Sequence, residues 1–293
     1  MRIERTILIR KGGQEKMITS SANSRVKQVI QWQTKAKERK KAGVFLTEGF
    51  KMYEEAPLES ILEVYVAESA LASLEKMDAK EEKMAVKLKK TGYEVVADSL
   101  FKKMADTQTP QGILCVVKQP EYRLEEILKQ DRPLLMILEN LQDPGNLGTI
   151  IRTGEGAGVT GVIMTAKTVD IFNPKVIRAT MGSVFRVPFL YVEDMEDTLK
   201  KLKEKGIRTY AAHLAGREYY DSFSFTGGTA FLIGNEGNGL EKKTADLADS
   251  YLKIPMEGKV ESLNAAIAAS LLMYEAQRQR RNGKECAQKW RLV

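Results

Sequence analysis

The sequence predicts an α/β fold in two parts: a smaller α/β domain, then a mostly parallel sheet with helices on both faces. Three observations carry this. Short apolar, β-branched runs alternate with longer stretches of helical period along the whole chain. In the second half the strands read as unbroken apolar runs, such as 134–138 and 230–233, the pattern of strands covered on both faces. The charge is also uneven, with 22 Lys and Arg against 16 Asp and Glu in residues 1–120, and 24 against 23 in residues 121–293. A basic module followed by a neutral one suggests that the first meets a polyanion while the second does something else.

The elements follow in order. Val26, Val29, Ile30 and Trp32 punctuate a run of Lys, Arg and Gln, which predicts a basic amphipathic helix over 24–41, opened by an Asn23/Ser24 cap. A strand over 43–48, a helical turn over 50–56, a strand over 62–67, a lysine-rich helix over 70–91 and strands over 93–97 and 112–117 complete the first half. Two X-Pro pairs around a mixed-charge helix then interrupt the pattern. The expected organisation is an extension or misplaced start over 1–17, a first domain over 18–120, a linker over 121–132 and a second domain over 133–293. That second domain should carry strands over 134–139, 161–165, 186–191, 209–213, 230–233 and 251–254, and helices over 146–157, 174–180, 195–205 and 262–281. Strand, loop, helix units of this kind place ligands at the ends of strands.

Composition excludes several classes. No apolar run approaches the ~20 residues needed to cross a bilayer, and residues 1–16 lack the apolar core of a secretory signal, so a cytoplasmic protein is expected. The two cysteines, Cys115 and Cys286, have no companions at metal-ligand spacing; they read as free thiols, and no metal is expected. Gly156-Ala157-Gly158-Val159-Thr160-Gly161 fits a dinucleotide-binding fingerprint, but it closes a helix where that motif must open one, so Gly158 reads as a helix C-terminal glycine. A Ser-His hydrolase with Ser262 as nucleophile is disfavoured because the chain has a single histidine, His213, which reads as a packing residue at a strand end, and no base is positioned by sequence.

Three segments remain as candidate chemistry. In Asn140-Leu141-Gln142-Asp143-Pro144-Gly145-Asn146, followed by Arg152, the arginine lies six residues beyond Asn146, close to two helical turns, and its planar fork suits a phosphate. Gly234-Asn235-Glu236-Gly237-Asn238-Gly239 directly follows an apolar strand, where three glycines let backbone approach a ligand beside a lone carboxylate. Ile254-Pro255-Met256 through Ser262-Leu263-Asn264 ends a strand and starts a helix that Ser262 can cap.

Together these segments resemble the SpoU family of RNA 2′-O-ribose methyltransferases. The first half resembles the substrate-binding domain of ribosomal-RNA members through Ser24-Arg25-Val26-Lys27, Phe45-Leu46-Thr47-Glu48-Gly49 and Thr109-Pro110-Gln111-Gly112. The resemblance implies a trefoil-knotted second domain that takes S-adenosylmethionine as methyl donor and forms a homodimer, with ribosomal RNA as its partner. It implies a catalytic set of Arg152, Asn146, Glu236, Ser262 and Asn264, and a cofactor set of Gly234, Asn235, Gly237, Ile254, Met256 and Leu263. Arg25, Lys27, Lys35, Lys37, Arg39, Lys40 and Lys41 are the candidate phosphate contacts. A transfer-RNA methyltransferase and a non-catalytic RNA-binding protein on the same scaffold stay open at this point.

Overall fold

The computed structural model describes residues 17–74 and 79–289, with the backbone alone over 79–82 and 282–289. The extension expected over 1–17 lies, apart from Met17, outside the described residues, as does the side chain of Cys286. The chain divides into two compact units, residues 1–120 with 172–185, and residues 121–171 with 186–293. Residues 172–185 thus pack with the first unit although they fall in the second half of the sequence.

In the first unit, a four-stranded sheet runs in the order β1 (Val44–Glu48), β4 (Ile113–Lys118), β2 (Ile61–Ala67), β3 (Glu94–Val96). β4 pairs antiparallel with both neighbours, and β2 with β3 is parallel. Asn23 caps the first helix, its Oδ1 accepting the N–H of Arg25 at 2.9 Å, and Val26, Val29 and Trp32 enter a core with Leu46, Tyr65, Phe101 and Leu114. The single helix expected over 24–41 is two, α1 (Ser24–Thr34) and α2 (Ala36–Ala42), because Lys35 is extended at φ −122° and ψ 107°. Arg39 folds back across that break: it is 4% exposed, and its Nη1 donates to the carbonyls of Trp32 at 2.7 Å and Gln33 at 3.4 Å. Those carbonyls are among the ones a helix end leaves without partners, so a buried guanidinium closes α1 where a phosphate contact was expected.

Helices α3 (Phe50–Glu55), α4 (Glu68–Leu74), α5 (Ala79–Thr91) and α6 (Asp98–Met104) complete the unit's first 120 residues. The contribution from later in the chain is α9 (Pro174–Thr180) with its flanks: the Phe45 ring lies 4.8 Å from that of Phe172 and 5.9 Å from that of Phe185, and Arg178 pairs with Asp106.

The second unit is built on seven strands in the order β7 (Phe189–Val192), β6 (Gly161–Thr165), β5 (Leu134–Leu138), β10 (Thr229–Ile233), β8 (Arg208–Ala212), β11 (Ser250–Lys253), β9 (Glu218–Tyr219), each pair parallel. β5 and β10 are buried at every position, as their unbroken apolar runs require. α7 (Leu124–Ile127), α8 (Pro144–Ala157), α10 (Met195–Glu204), α11 (Lys242–Ala245) and α12 (Ala265–Lys289) accompany the sheet. From β5 the chain builds outward through β6 to β7, then returns on the other side, where β10 inserts between β5 and β8. The succession of strands therefore reverses between β5 and β10, and loops leaving their C-terminal ends diverge to open a crevice there. No helix among the described residues is long and apolar enough to cross a membrane.

Candidate active site

The crevice is closed by hydrogen bonds between the loops that follow β5 and β10. Asn140, held at φ +56°, receives its backbone geometry from Thr165: its N–H donates to Thr165 Oγ1 at 2.9 Å and its Oδ1 accepts from the same hydroxyl at 3.0 Å. Its carbonyl accepts from Asn235 Nδ2 at 2.9 Å, which stitches the two loops together. Asp143 caps α8, accepting the N–H of Asn146 at 2.7 Å, with Pro144 filling the first helical position.

Glu236 accepts on both oxygens: Oε1 from Asn146 Nδ2 at 3.0 Å and from the N–H of Asp143 at 2.9 Å, and Oε2 from the N–H of Gln142 at 3.0 Å. Desolvation pushes the carboxyl up, but these donors outweigh it and hold it below the ordinary carboxylate range. Because a carboxylate only accepts, Asn146 must turn its NH₂ toward Glu236 and its Oδ1 away. That oxygen accepts from Asn264 Nδ2 at 2.9 Å, and Asn264 Oδ1 in turn accepts the N–H of Ala266 at 2.9 Å, capping α12. One directional chain, Glu236 to Asn146 to Asn264 to the start of α12, thus joins all three segments singled out in the sequence. The cap is Asn264, and α12 begins at Ala265; Ser262, expected as the cap, is exposed and lies three residues before the helix begins. Asn264 takes the role because an amide both accepts from the helix and donates to Asn146, which a serine at 262 is too far along the chain to do.

The glycine loop is shaped by contact. A Cβ on Gly234 would stand 2.1 Å from the carbonyl carbon of Gly239 and the nitrogen of Leu240, so no other residue fits there. Asn235 uses its whole side chain on the loop, Nδ2 on Asn140 and Oδ1 on the N–H groups of Gly237 and Asn238, both at 3.0 Å. Behind the loop, buried Glu139 accepts the N–H of Glu241 at 2.7 Å and the hydroxyl of Thr244, fixing the segment that leads into α11.

Ile254, Met256 and Leu263 are half-buried beyond β11, and no hydrogen bond ties 255–263 to the other described residues. That leaves apolar side chains beside backbone donors and acceptors that bond to no group among the described residues. Arg152 is exposed on α8 and makes no ion pair among the described residues. The described residues contain no cluster of His, Cys, Asp or Glu that could hold a metal. The strand order adds a segment that the motifs missed: β8 lies between β10 and β11, so residues 213–216 emerge at the same end as the glycine loop and 254–263. There the His213 ring stacks on Tyr251 with centroids 5.0 Å apart, and a Cβ on Gly216 would meet the carbonyl carbon of Leu252 at 2.9 Å. Only the interleaved strand order reveals this neighbour; the sequence had placed His213 at a strand end without assigning it a place beside the glycine loop. Gly158 ends α8 at φ +79°, the left-handed terminus that rules out the dinucleotide reading of its motif.

In the first unit, Lys27, Lys35, Lys37, Lys40 and Lys41 are exposed, Arg25 is exposed but paired with Glu94, and Arg39 is the one of the seven proposed cations that turns inward.

Residues 133–274 match the SpoU rRNA Methylase family, and residues 23–115 match the MRM3-like substrate binding domain. The chain is 33% identical to the 23S rRNA (guanosine(2553)-2′-O)-methyltransferase RlmP of Bacillus subtilis, over 88% of this chain and 98% of that one. The AdoMet-bound rRNA methyltransferase of Sinorhizobium meliloti is similar in structure with a TM-score of 0.78 at 31% identity, covering 90% of this chain and 97% of that one. The SpoU methyltransferase AviRb of Streptomyces viridochromogenes, in complex with AdoMet, gives a TM-score of 0.77 at 27% identity over 89% of this chain and 100% of that one. With its fold, its three interlocked loops and relatives matched along nearly their whole length, the chain belongs to the SpoU rRNA methylase family.

Proposed function

We propose that the protein transfers a methyl group from S-adenosylmethionine to a ribose 2′-hydroxyl of RNA, with large-subunit ribosomal RNA as the substrate. The observation that carries this is the directional chain from Glu236 through Asn146 to Asn264, which holds the glycine loop, the start of α8 and the start of α12 around one crevice. The crevice suits the donor: Ile254, Met256 and Leu263 offer apolar walls for a purine, the free backbone of 255–263 offers edges for it to bond, and the glycine loop at 234 and 237 lets main chain approach closely. Asn235 supports that loop from behind. When bound, S-adenosylmethionine supplies a methyl on a sulfonium, an already good leaving group.

The chain's own residues then have to orient and activate the hydroxyl. Arg152, with its planar guanidinium fork, clamps the phosphate of the target nucleotide and stabilises negative charge developing on its 2′-oxygen. Asn146, Glu236 and Asn264 act as positioning residues, and Ser262 lines the approach beside them. The exposed cations Arg25, Lys27, Lys35, Lys37, Lys40 and Lys41 hold RNA phosphates in a salt-dependent manner. On α12, Ile267, Leu271 and Tyr274 recur on one face and are 50%, 39% and 47% exposed, an apolar stripe that a second copy of the chain covers in a homodimer. The reading places the protein in the cytoplasm, with its RNA.

The test is transfer of labelled methyl from S-adenosylmethionine to ribosomal RNA lacking the modification, followed by alkaline hydrolysis. A 2′-O-methyl blocks cleavage at its own nucleotide, so label should appear in one alkali-resistant dinucleotide. Absence of label from every RNA class would retire the proposal.

A further inference from the structure

A cleft of about 900 Å³ opens in the first unit, bounded by α3, α4, α5, α6 and residues 110–112. Its walls are fixed without a ligand: Gln111 Oε1 accepts the N–H of Phe50 at 3.2 Å, and Gly112, at φ +84°, packs so closely that a Cβ would stand 2.3 Å from that of Ala70. Apolar surface comes from Phe50, Ala70, Leu74 and Met84. Four lysines and two carboxylates also line it. Half of these charges are committed: Lys87 donates to the carbonyls of Tyr53 and Glu54, Lys51 pairs with Glu55, and Asp98 accepts from Ser69 Oγ at 2.8 Å. Lys83 and Lys102 are exposed and make no ion pair among the described residues, while Glu54 is the remaining carboxylate.

The combination selects its ligand. An apolar peptide would have no use for the two ammonium groups, and a bare polyphosphate none for the apolar floor. A nucleotide needs both, and the volume lies within the ~300–1,000 Å³ typical of small-ligand pockets. Unpaired bases are the part of RNA that proteins bury, with cations on the adjoining phosphate. We propose that this cleft receives one unpaired nucleotide of the RNA substrate, its base against Phe50 and Met84 and its phosphate between Lys83 and Lys102. This rests on the RNA-methyltransferase reading and gives the first unit a built recognition site in addition to diffuse charge.

The test uses the full chain and a large-subunit ribosomal RNA fragment carrying 4-thiouridine. Crosslinks should map to peptides containing Phe50 or Met84. Lys83→Glu with Lys102→Glu should weaken binding at least tenfold and make its salt dependence shallower, because phosphate contacts are lost. Ser73→Phe, which blocks the cleft from an exposed position on α4, should weaken binding comparably with the salt slope unchanged. All variants should bind S-adenosylmethionine as the wild type does. If wild type methylates RNA and the variants keep full RNA affinity, the cleft proposal alone falls; if wild type neither binds nor methylates RNA, both readings fall. A third arm titrates UMP and AMP: variants that lose mononucleotide binding but keep RNA affinity would make this a free-nucleotide site and overturn the proposal.

Discussion

Asn146 is 8% exposed and has a carboxylate on one side and an amide on the other. Its orientation is therefore dictated by Glu236, and the order of donors and acceptors passes to Asn264 and the first turn of α12. Glu236→Gln should damage this order, because an NH₂ would face one of the backbone N–H groups that the carboxylate now accepts. Given the exposure of the group, the expected cost is about 1 kcal/mol at neutral pH, read as a Tm lowered by about 2–4 °C. A depressed carboxyl stabilises the fold above its unfolded value, 4.5, and loses that contribution as pH falls through the lower folded value. The Tm difference between wild type and Glu236→Gln should accordingly narrow below pH 4.5 in calorimetric scans. Arg152→Ala tests a different property. It should lower turnover by at least about a hundredfold, the scale of one lost charge-stabilising contact, with S-adenosylmethionine affinity in equilibrium binding nearly unchanged. Equal turnover would remove Arg152 from the chemistry.

At the scale of elements, α12 is anchored past its midpoint as well as at its cap. Arg280 donates to the carbonyls of Phe225 at 2.9 Å, Gly227 at 2.6 Å, Arg132 at 3.0 Å and Pro133 at 3.2 Å, which ties the helix to the entries of β5 and β10. Arg280→Ala should cost about 2–3 kcal/mol in urea unfolding, with Arg280→Lys recovering only part because an ammonium cannot span four acceptors. The longer strands and helices were legible from periodicity, since β5, β10 and α8 each bury a surface their sequence advertises. What escaped was either short or decided by contacts distant in sequence. α11 and the two-residue β9 are too brief for a period to show. The break at Lys35 has no Gly or Pro to mark it, and so Arg39, one cation in a basic run, gave no sign that it would turn inward to α1. The candidate site was legible in its motifs because the loops after β5, β10 and β11 each carry a polar residue whose partners lie in another of these segments. The 213–216 segment was not, because its place follows from strand order alone.

At the scale of the whole molecule, an apolar stripe on α12 is an expense in solution for a lone chain and an asset for a pair. Ile267→Glu with Leu271→Glu should convert a dimer to a monomer in sedimentation velocity, leaving the circular dichroism spectrum intact; a wild type that sediments as a monomer would remove the homodimer from the proposal. The membership of residues 172–185 in the first unit has a consequence of another kind. A polypeptide emerges from the ribosome from its N-terminus, so all four strands of the first sheet are available before α9 has been synthesised. Until it arrives, Phe45 awaits the rings of Phe172 and Phe185, and Asp106 awaits Arg178. The earlier-made unit therefore waits on chain from within the second half, and translation must pass β5, α8 and β6 before the module at the front of the chain can mature.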